Sequence, residues 1–266
     1  MAIPLSELRR IPEPQYVFVA DGTRLATYSW GDPAGDTVLI VHGFASNTRD
    51  TWVHTGWIPE LEKAGLRVLG IDLRGHGASE KPHEAAGYTV PTLAADIETV
   101  MDTHLVENAV YLGYSLGARV GWEVARDLPH RIDRAVLGGV PDGIPLERLD
   151  LEQVRAYIAD GTPVTDEATS RYIRLTERVR GNDLRALLAL AEGMRASRKV
   201  DPDPDAAPTQ PILIATGARD TVIDGSRRLA DAAPQGSFVE IPDRHHFNAP
   251  GSRDLRDAAI AFFAAG

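Results

Sequence analysis

The sequence predicts an α/β domain: a mostly parallel central sheet covered by helices on both faces and interrupted by a helical insertion. Two observations carry this reading. Short apolar runs alternate with helical periodicity along most of the 266 residues, which specifies repeated βα units and a sheet buried on both sides. The alternation then fails between about 143 and 208, where only helix-like stretches rich in Leu, Arg, Glu and Ala occur.

The elements follow in order. Runs at 16–20 and 25–30, joined at Asp21-Gly22, read as an antiparallel hairpin at the sheet edge. Strands are expected near 38–42, 67–72, 109–113, 134–140, 211–216 and 237–241, with helical patterns near 92–105, 116–128, 226–233 and 253–264. Residues 45–59 read as a loop carrying Trp52 and Trp57, both assigned to packing. Within the insertion, helices are expected over 146–159, 167–179 and 183–196. In the third, Leu184, Leu187, Leu188, Ala191 and Met194 form an amphipathic stripe, most of which should pack on the core. The run from Asp201 to Pro208, with prolines at 202, 204 and 208, then returns to the core extended and without helix. The organisation is therefore core 1–142, insertion 143–208 and core 209–266.

The chemistry begins at Gly113-Tyr114-Ser115-Leu116-Gly117, directly after the apolar run Ala109-Val110-Tyr111-Leu112. A G-x-S-x-G pattern between strand and helix sets a serine on a strained turn, with its hydroxyl clear of the sheet. The amide of the following residue, Leu116, then points beside it as one oxyanion donor. A serine hydroxyl needs a base, and the base needs an acid to orient it. Downstream, Asp220 follows the strand Ile212-Leu213-Ile214-Ala215, and His245-His246 follow Phe238-Val239-Glu240-Ile241. Both loops leave carboxyl ends of parallel strands, where open α/β sheets bind their ligands. Asp142 also lies at such an end and is a second candidate acid. Asp243 and Asp72 read as turn residues, and Asp96 as a solvent-facing helix residue.

These motifs resemble the α/β-hydrolase superfamily, in particular its cap-bearing, esterase-like serine hydrolases, from about residue 15 to the end. His42-Gly43-Phe44 is similar to the family's oxyanion loop, and Asp72-Leu73-Arg74-Gly75-His76-Gly77-Ala78-Ser79 to its D-x-R-G-x-G-x-S turn. The resemblance implies that Phe44 supplies the second oxyanion amide and that Asp220 is the acid. It also implies His246 as the base, because the apolar residue that follows the family's histidine matches Phe247. His245 stands where the family commonly has glycine. In the same pattern His42 shapes the oxyanion turn, and His76 belongs to a loop behind the site. The insertion falls where the family places a helical cap, which would wall the substrate pocket and exclude water.

The implied activity is hydrolysis of carboxylic esters with small to medium acyl groups through a Ser115–His246–Asp220 triad, without cofactor or metal. Carbon–carbon cleavage, lactone opening and perhydrolysis are alternatives on the same scaffold, and a non-catalytic ligand receptor is a further one. Related dehalogenases and epoxide hydrolases carry aspartate at the elbow, so serine disfavours those reactions.

Composition sets the outer limits. The chain is long enough for one domain with a sizeable core. A net charge of −10 disfavours nucleic acid and anionic membranes as partners. With no cysteine there is no disulfide, thiolate metal site or cysteine nucleophile. Residues 1–10 lack the apolar run of a signal peptide, and no segment reaches transmembrane length. A cytoplasmic protein with a small-molecule ester as its partner is the expectation; oligomeric state is not encoded legibly.

Overall fold

The apolar runs form β1 (Gln15–Phe18), β2 (Arg24–Trp30), β3 (Thr37–Val41), β4 (Arg67–Asp72), β5 (Ala109–Tyr114), β6 (Ile132–Gly138), β7 (Ile212–Gly217) and β8 (Gly236–Ile241). In the computed structural model, which describes residues 11–197 and 202–265, they make one eight-stranded sheet of order β1-β2-β4-β3-β5-β6-β7-β8. β2 pairs antiparallel with both β1 and β4. Every pairing from β4 through β3 to β8 is parallel. The reading of residues 1–10, and the ends of the reading at Asp201 and Gly266, lie outside the described residues.

Period-two alternation divides the strand side chains between two cores. On one face Leu39, Ile71, Tyr111, Leu137 and Ile214 pack beneath α2 (Val90–Thr103), α3 (Leu116–Asp127) and α7 (Ile223–Ala232). On the other, Ile40, Val68, Leu112, Val136 and Leu213 meet α1 (Trp57–Lys63) and α8 (Arg253–Ala264). Between β6 and β7 stand α4 (Leu151–Asp160), α5 (Glu167–Arg178) and α6 (Leu184–Ser197). Among the described residues no helix is long and apolar enough to cross a membrane.

Three readings need correction. The stretch read as one loop, 45–59, contains a helical turn over Arg49–Val53 and the start of α1. Trp52 and Trp57 are fully buried there, and Trp57 Nε1–H donates to Pro250 O at 2.7 Å. The first inserted helix starts later than its pattern suggested, because Asp150 caps it by accepting from the Gln153 amide at 3.1 Å. Residues before the cap turn away instead, with the Leu146 and Leu149 carbonyls taken by Arg195. Asp96 does not face solvent. It is 3% exposed and receives Arg74 Nε–H at 2.6 Å and Nη2–H at 2.8 Å. Its partner comes from the turn after β4, 22 positions away, and no helical periodicity reveals such a pair. Arg74 also donates to Asp21 at 2.8 Å, and that hydrogen bond draws the Asp21 carboxyl down to about 2. The hairpin turn, the β4 turn and α2 are thereby tied at one buried guanidinium.

Candidate active site

The site is assembled at the carboxyl ends of β3, β5, β7 and β8. β5 passes into α3 through Ser115, whose backbone takes φ +53° and ψ −109°, a strained conformation for a side chain with a Cβ. The flanking glycines are required by contact. A Cβ on Gly113 would lie 2.4 Å from Gly117 O, and one on Gly117 would lie 2.2 Å from Val41 O. The Ser115 amide is spent on Gly138 O at 2.8 Å, which pins the elbow to the end of β6.

The loops after β7 and β8 are stitched to one another. Ala218 N–H donates to Ile241 O at 2.9 Å, and Arg219 N–H donates to Arg244 O at 2.8 Å. Gly217 lets the strands' ends come this close, since a Cβ there would stand 2.3 Å from Arg244 O. Asp220 is thereby buried at 4% exposure, one oxygen accepting from the Val222 amide at 3.1 Å. Its other oxygen meets His246 Nδ1 at 2.8 Å, and His246 Nε2 meets Ser115 Oγ at 2.8 Å. A buried carboxylate can only accept, so the imidazole proton sits on Nδ1 and Nε2 is left to accept from the serine. Tyr114, next to the serine, donates from its hydroxyl to His246 O at 2.6 Å and so anchors the histidine loop. Burial raises the Tyr114 phenol well above its ordinary range, which keeps it a donor.

The third loop follows β3, the neighbour of β5. A Cβ on Gly43 would lie 3.3 Å from Ser115 Cβ, so the chain passes directly beside the serine before turning at Phe44. The adjacent amides are committed elsewhere: Ser46 N–H donates to Gly43 O at 3.2 Å, and Ala45 N–H donates to His76 Nε2 at 3.1 Å. His42 Nδ1–H donates to Gly43 O at 2.8 Å while its Nε2 accepts from Leu73 N–H at 3.1 Å. Both His42 and His76 are wholly buried, and burial lowers their proton affinity, most strongly for His76, where the His42 ring adds to the effect. From the turn after β4, His76 is thus a direct support of the Phe44 loop.

The remaining sequence candidates fall outside this cluster. Asp142 pairs with Arg228 at 2.6 Å. Asp243 pairs with Arg219 at 2.6 Å in a turn at φ +56°. Asp72 accepts from Thr48 N–H, Ala78 N–H and the Tyr28 hydroxyl, which closes the turn it begins. His245 is exposed, and its Nδ1 accepts from the Phe247 amide at 3.2 Å. Among the described residues, no three His, Asp or Glu side chains are grouped as metal ligands would be.

Sequence reasoning missed the roof. Tyr172 of α5 lies edge-on to Phe44, with ring centroids 5.9 Å apart, and to Phe247 at 6.2 Å. It therefore spans the opening between the Phe44 loop and the His246 loop. An apolar cavity of about 20 Å³ among the inserted helices is lined by Phe44, Tyr172, Thr176, Leu187 and Leu188 among others, and Ser115, Asp220 and His246 do not border it. The stripe on α6 divides accordingly, Leu187 and Leu188 facing the cavity and Met194 packing in the core. The one available signal was that Tyr157 and Tyr172 are the only aromatics of 143–208.

Comparison with known proteins agrees with this architecture. A family model described as the alpha/beta hydrolase fold matches residues 36–162. A candidate non-heme bromoperoxidase, BpoC, of Mycobacterium tuberculosis is 28% identical over 254 residues, spanning 86% of this chain and 94% of that protein. Bifunctional epoxide hydrolase 2 of Sus scrofa is 34% identical over 122 residues, which is 46% of this chain and 21% of that protein. The crystal structure of the enol-lactonase from Burkholderia xenovorans LB400 superposes with a TM-score of 0.77 at 22% identity, covering 94% of this chain and 100% of the other; at that identity the likeness concerns the fold alone. The chain has the α/β-hydrolase fold, and its residues 36–162 match that family's model.

Proposed function

We propose that the protein is a serine hydrolase of carboxylic esters with small to medium acyl groups, acting through Ser115, His246 and Asp220. The observation that carries this reading is the unbroken relay from Ser115 Oγ through His246 to Asp220, with both links at 2.8 Å. His246 Nε2 takes the Ser115 proton as Oγ attacks the ester carbonyl, and Asp220 stabilises the imidazolium. The amides of Leu116 and Phe44 donate to the developing oxyanion, each donor lowering the barrier by about 3 kcal/mol. His246 then protonates the leaving alcohol, and a water deprotonated by the same nitrogen releases the acid. The inserted helices act as a cap over this chemistry, and no cofactor takes part in the scheme. A cytoplasmic location belongs to the same proposal.

Serine at the elbow separates this reading from epoxide opening, despite the partial similarity to an epoxide hydrolase. The likeness to BpoC over nearly its whole length favours one variant of the scheme, in which hydrogen peroxide opens the acyl-enzyme and a peracid leaves. The test is hydrolysis of p-nitrophenyl esters from acetate to palmitate by wild type and Ser115→Ala, repeated with peroxide. Turnover should peak at the short to medium acyl chains. It should fall at least about ten-thousand-fold in Ser115→Ala. Activity that survives in Ser115→Ala removes the nucleophile, and silence from wild type removes the ester reading.

A further inference from the structure

Among its contacts with the core, the insertion makes three at consecutive residues. Gly181, at φ +88°, passes over Gly77, where a Cβ would stand 3.4 Å from the Gly77 carbonyl. Asp183 pairs with His83 at 2.9 Å. Between them Asn182 donates from Nδ2 to Ala45 O at 2.9 Å, and more weakly to Thr176 O at 3.3 Å. Two carbonyls fix which end of the amide faces them, because the reversed amide would set oxygen against oxygen. Its Oδ1 is buried without a protein partner.

Ala45 is a sensitive place for that contact. It holds φ +58° although it has a side chain, and it adjoins Phe44. Its amide is taken by His76, and Gly43 O, on the other side of Phe44, is taken by His42 and Ser46. The loop is therefore held by core residues on either side of Phe44. A further hold, on Ala45 O, comes from the insertion.

We infer that Asn182 is a positioning residue, fixing the Phe44 amide in oxyanion geometry through Ala45 and thereby linking docking of the insertion to transition-state stabilisation. This rests on the esterase reading of the same site. A donor displaced by a fraction of an ångström still lets the ester bind but no longer meets the oxyanion, so the loss should appear in kcat rather than in KM.

The experiment compares wild type, Asn182→Ala, Asn182→Asp and His83→Ala with p-nitrophenyl acetate, alongside amide hydrogen exchange of the peptide covering 43–46. Asn182→Asp keeps the shape but turns a carboxylate toward two carbonyls. His83→Ala frees the insertion one residue away from Asn182 without touching Ala45. Both Asn182 variants should lose at least about tenfold in kcat with KM changed by less than about twofold, and exchange over 43–46 should quicken. A simple alkyl boronic acid, which forms a tetrahedral adduct with the serine, should bind these variants more weakly in parallel with kcat. His83→Ala should keep wild-type kcat and exchange. Equal losses in His83→Ala and the Asn182 variants would reduce the contact to general docking and overturn the inference. Unchanged kcat in the Asn182 variants beside an active wild type would do the same. Should wild type hydrolyse no ester, the esterase reading falls separately, and exchange over 43–46 still decides whether Asn182 holds the loop.

Discussion

Asp220 and Asp142 each follow a parallel strand, yet their surroundings assign them opposite duties. Asp220 is buried, accepts from the Val222 amide and presents its free oxygen to His246 Nδ1. Asp142 spends its carboxylate on Arg228, a pair whose side chains are 31% and 66% exposed. Asp220→Asn should lower kcat about ten-thousand-fold, because an amide facing Nδ1 favours the wrong tautomer. Asp142→Asn should stay within about twofold, since an exposed pair contributes little. Steady-state kinetics of the two variants checks this, and comparable losses would return Asp142 to the site. At this scale the sequence was legible wherever chemistry is tied to a local motif. Ser115, Asp220 and His246 each sit at a strand end, beside residues that mark the turn. His76, Tyr114 and Asn182 were not assigned their roles, because each acts through a partner distant in sequence and has no pattern of its own. Asp96 was misread for the same reason, its bidentate partner Arg74 lying on another element.

Strand positions were legible because a strand buried on both faces must be a near-continuous apolar run, and few other segments of this chain are. Helix starts were less so, since a cap such as Asp150 and a long-range contact such as Arg195 decide where an amphipathic pattern begins to coil. Gly193 in α6 shows propensity and packing in open conflict. Helix propensity alone predicts that Gly193→Ala stabilises by about 1 kcal/mol. In the fold, a Cβ at 193 would stand 2.0 Å from Ala85 O and 2.8 Å from Tyr88 O. Both obstacles are backbone and cannot swing aside as a side chain would. Overpacking of this kind costs about 1–3 kcal/mol or more, which outweighs the propensity gain. Gly193→Ala should therefore lower Tm by about 2–6 °C. Thermal unfolding followed by circular dichroism measures it, and a higher Tm would mean that α6 can lift from residues 85–88 at no cost.

For the whole molecule the decisive groups are the two histidines buried side by side, with rings 4.9 Å apart. Burial holds both below the ordinary imidazole value of about 6.5, whereas the unfolded chain protonates them near that value. The unfolded state thus binds more protons below pH 6.5. The stability they contribute is complete above 6.5 and is lost as the pH falls toward their depressed folded values. Between pH 7.5 and 5.5, each histidine that stays neutral in the fold removes up to about 1.4 kcal/mol. A second whole-molecule effect has the opposite sign. The net charge of −10 shrinks as the pH approaches the isoelectric value of 5.3, which relieves self-repulsion. Those charges lie mostly in water and are screened within about 8 Å at physiological ionic strength, so the buried pair should dominate. Urea unfolding should show wild type about 1–3 kcal/mol less stable at pH 5.5 than at 7.5. His76→Gln keeps an acceptor for Ala45 N–H but cannot titrate, so its loss over the same interval should be roughly half as large. Equal stability at the two pH values would mean that the pair takes up protons while folded. It would then also mean that the Ala45 amide, which needs a neutral His76 Nε2, has another acceptor beside the Phe44 loop.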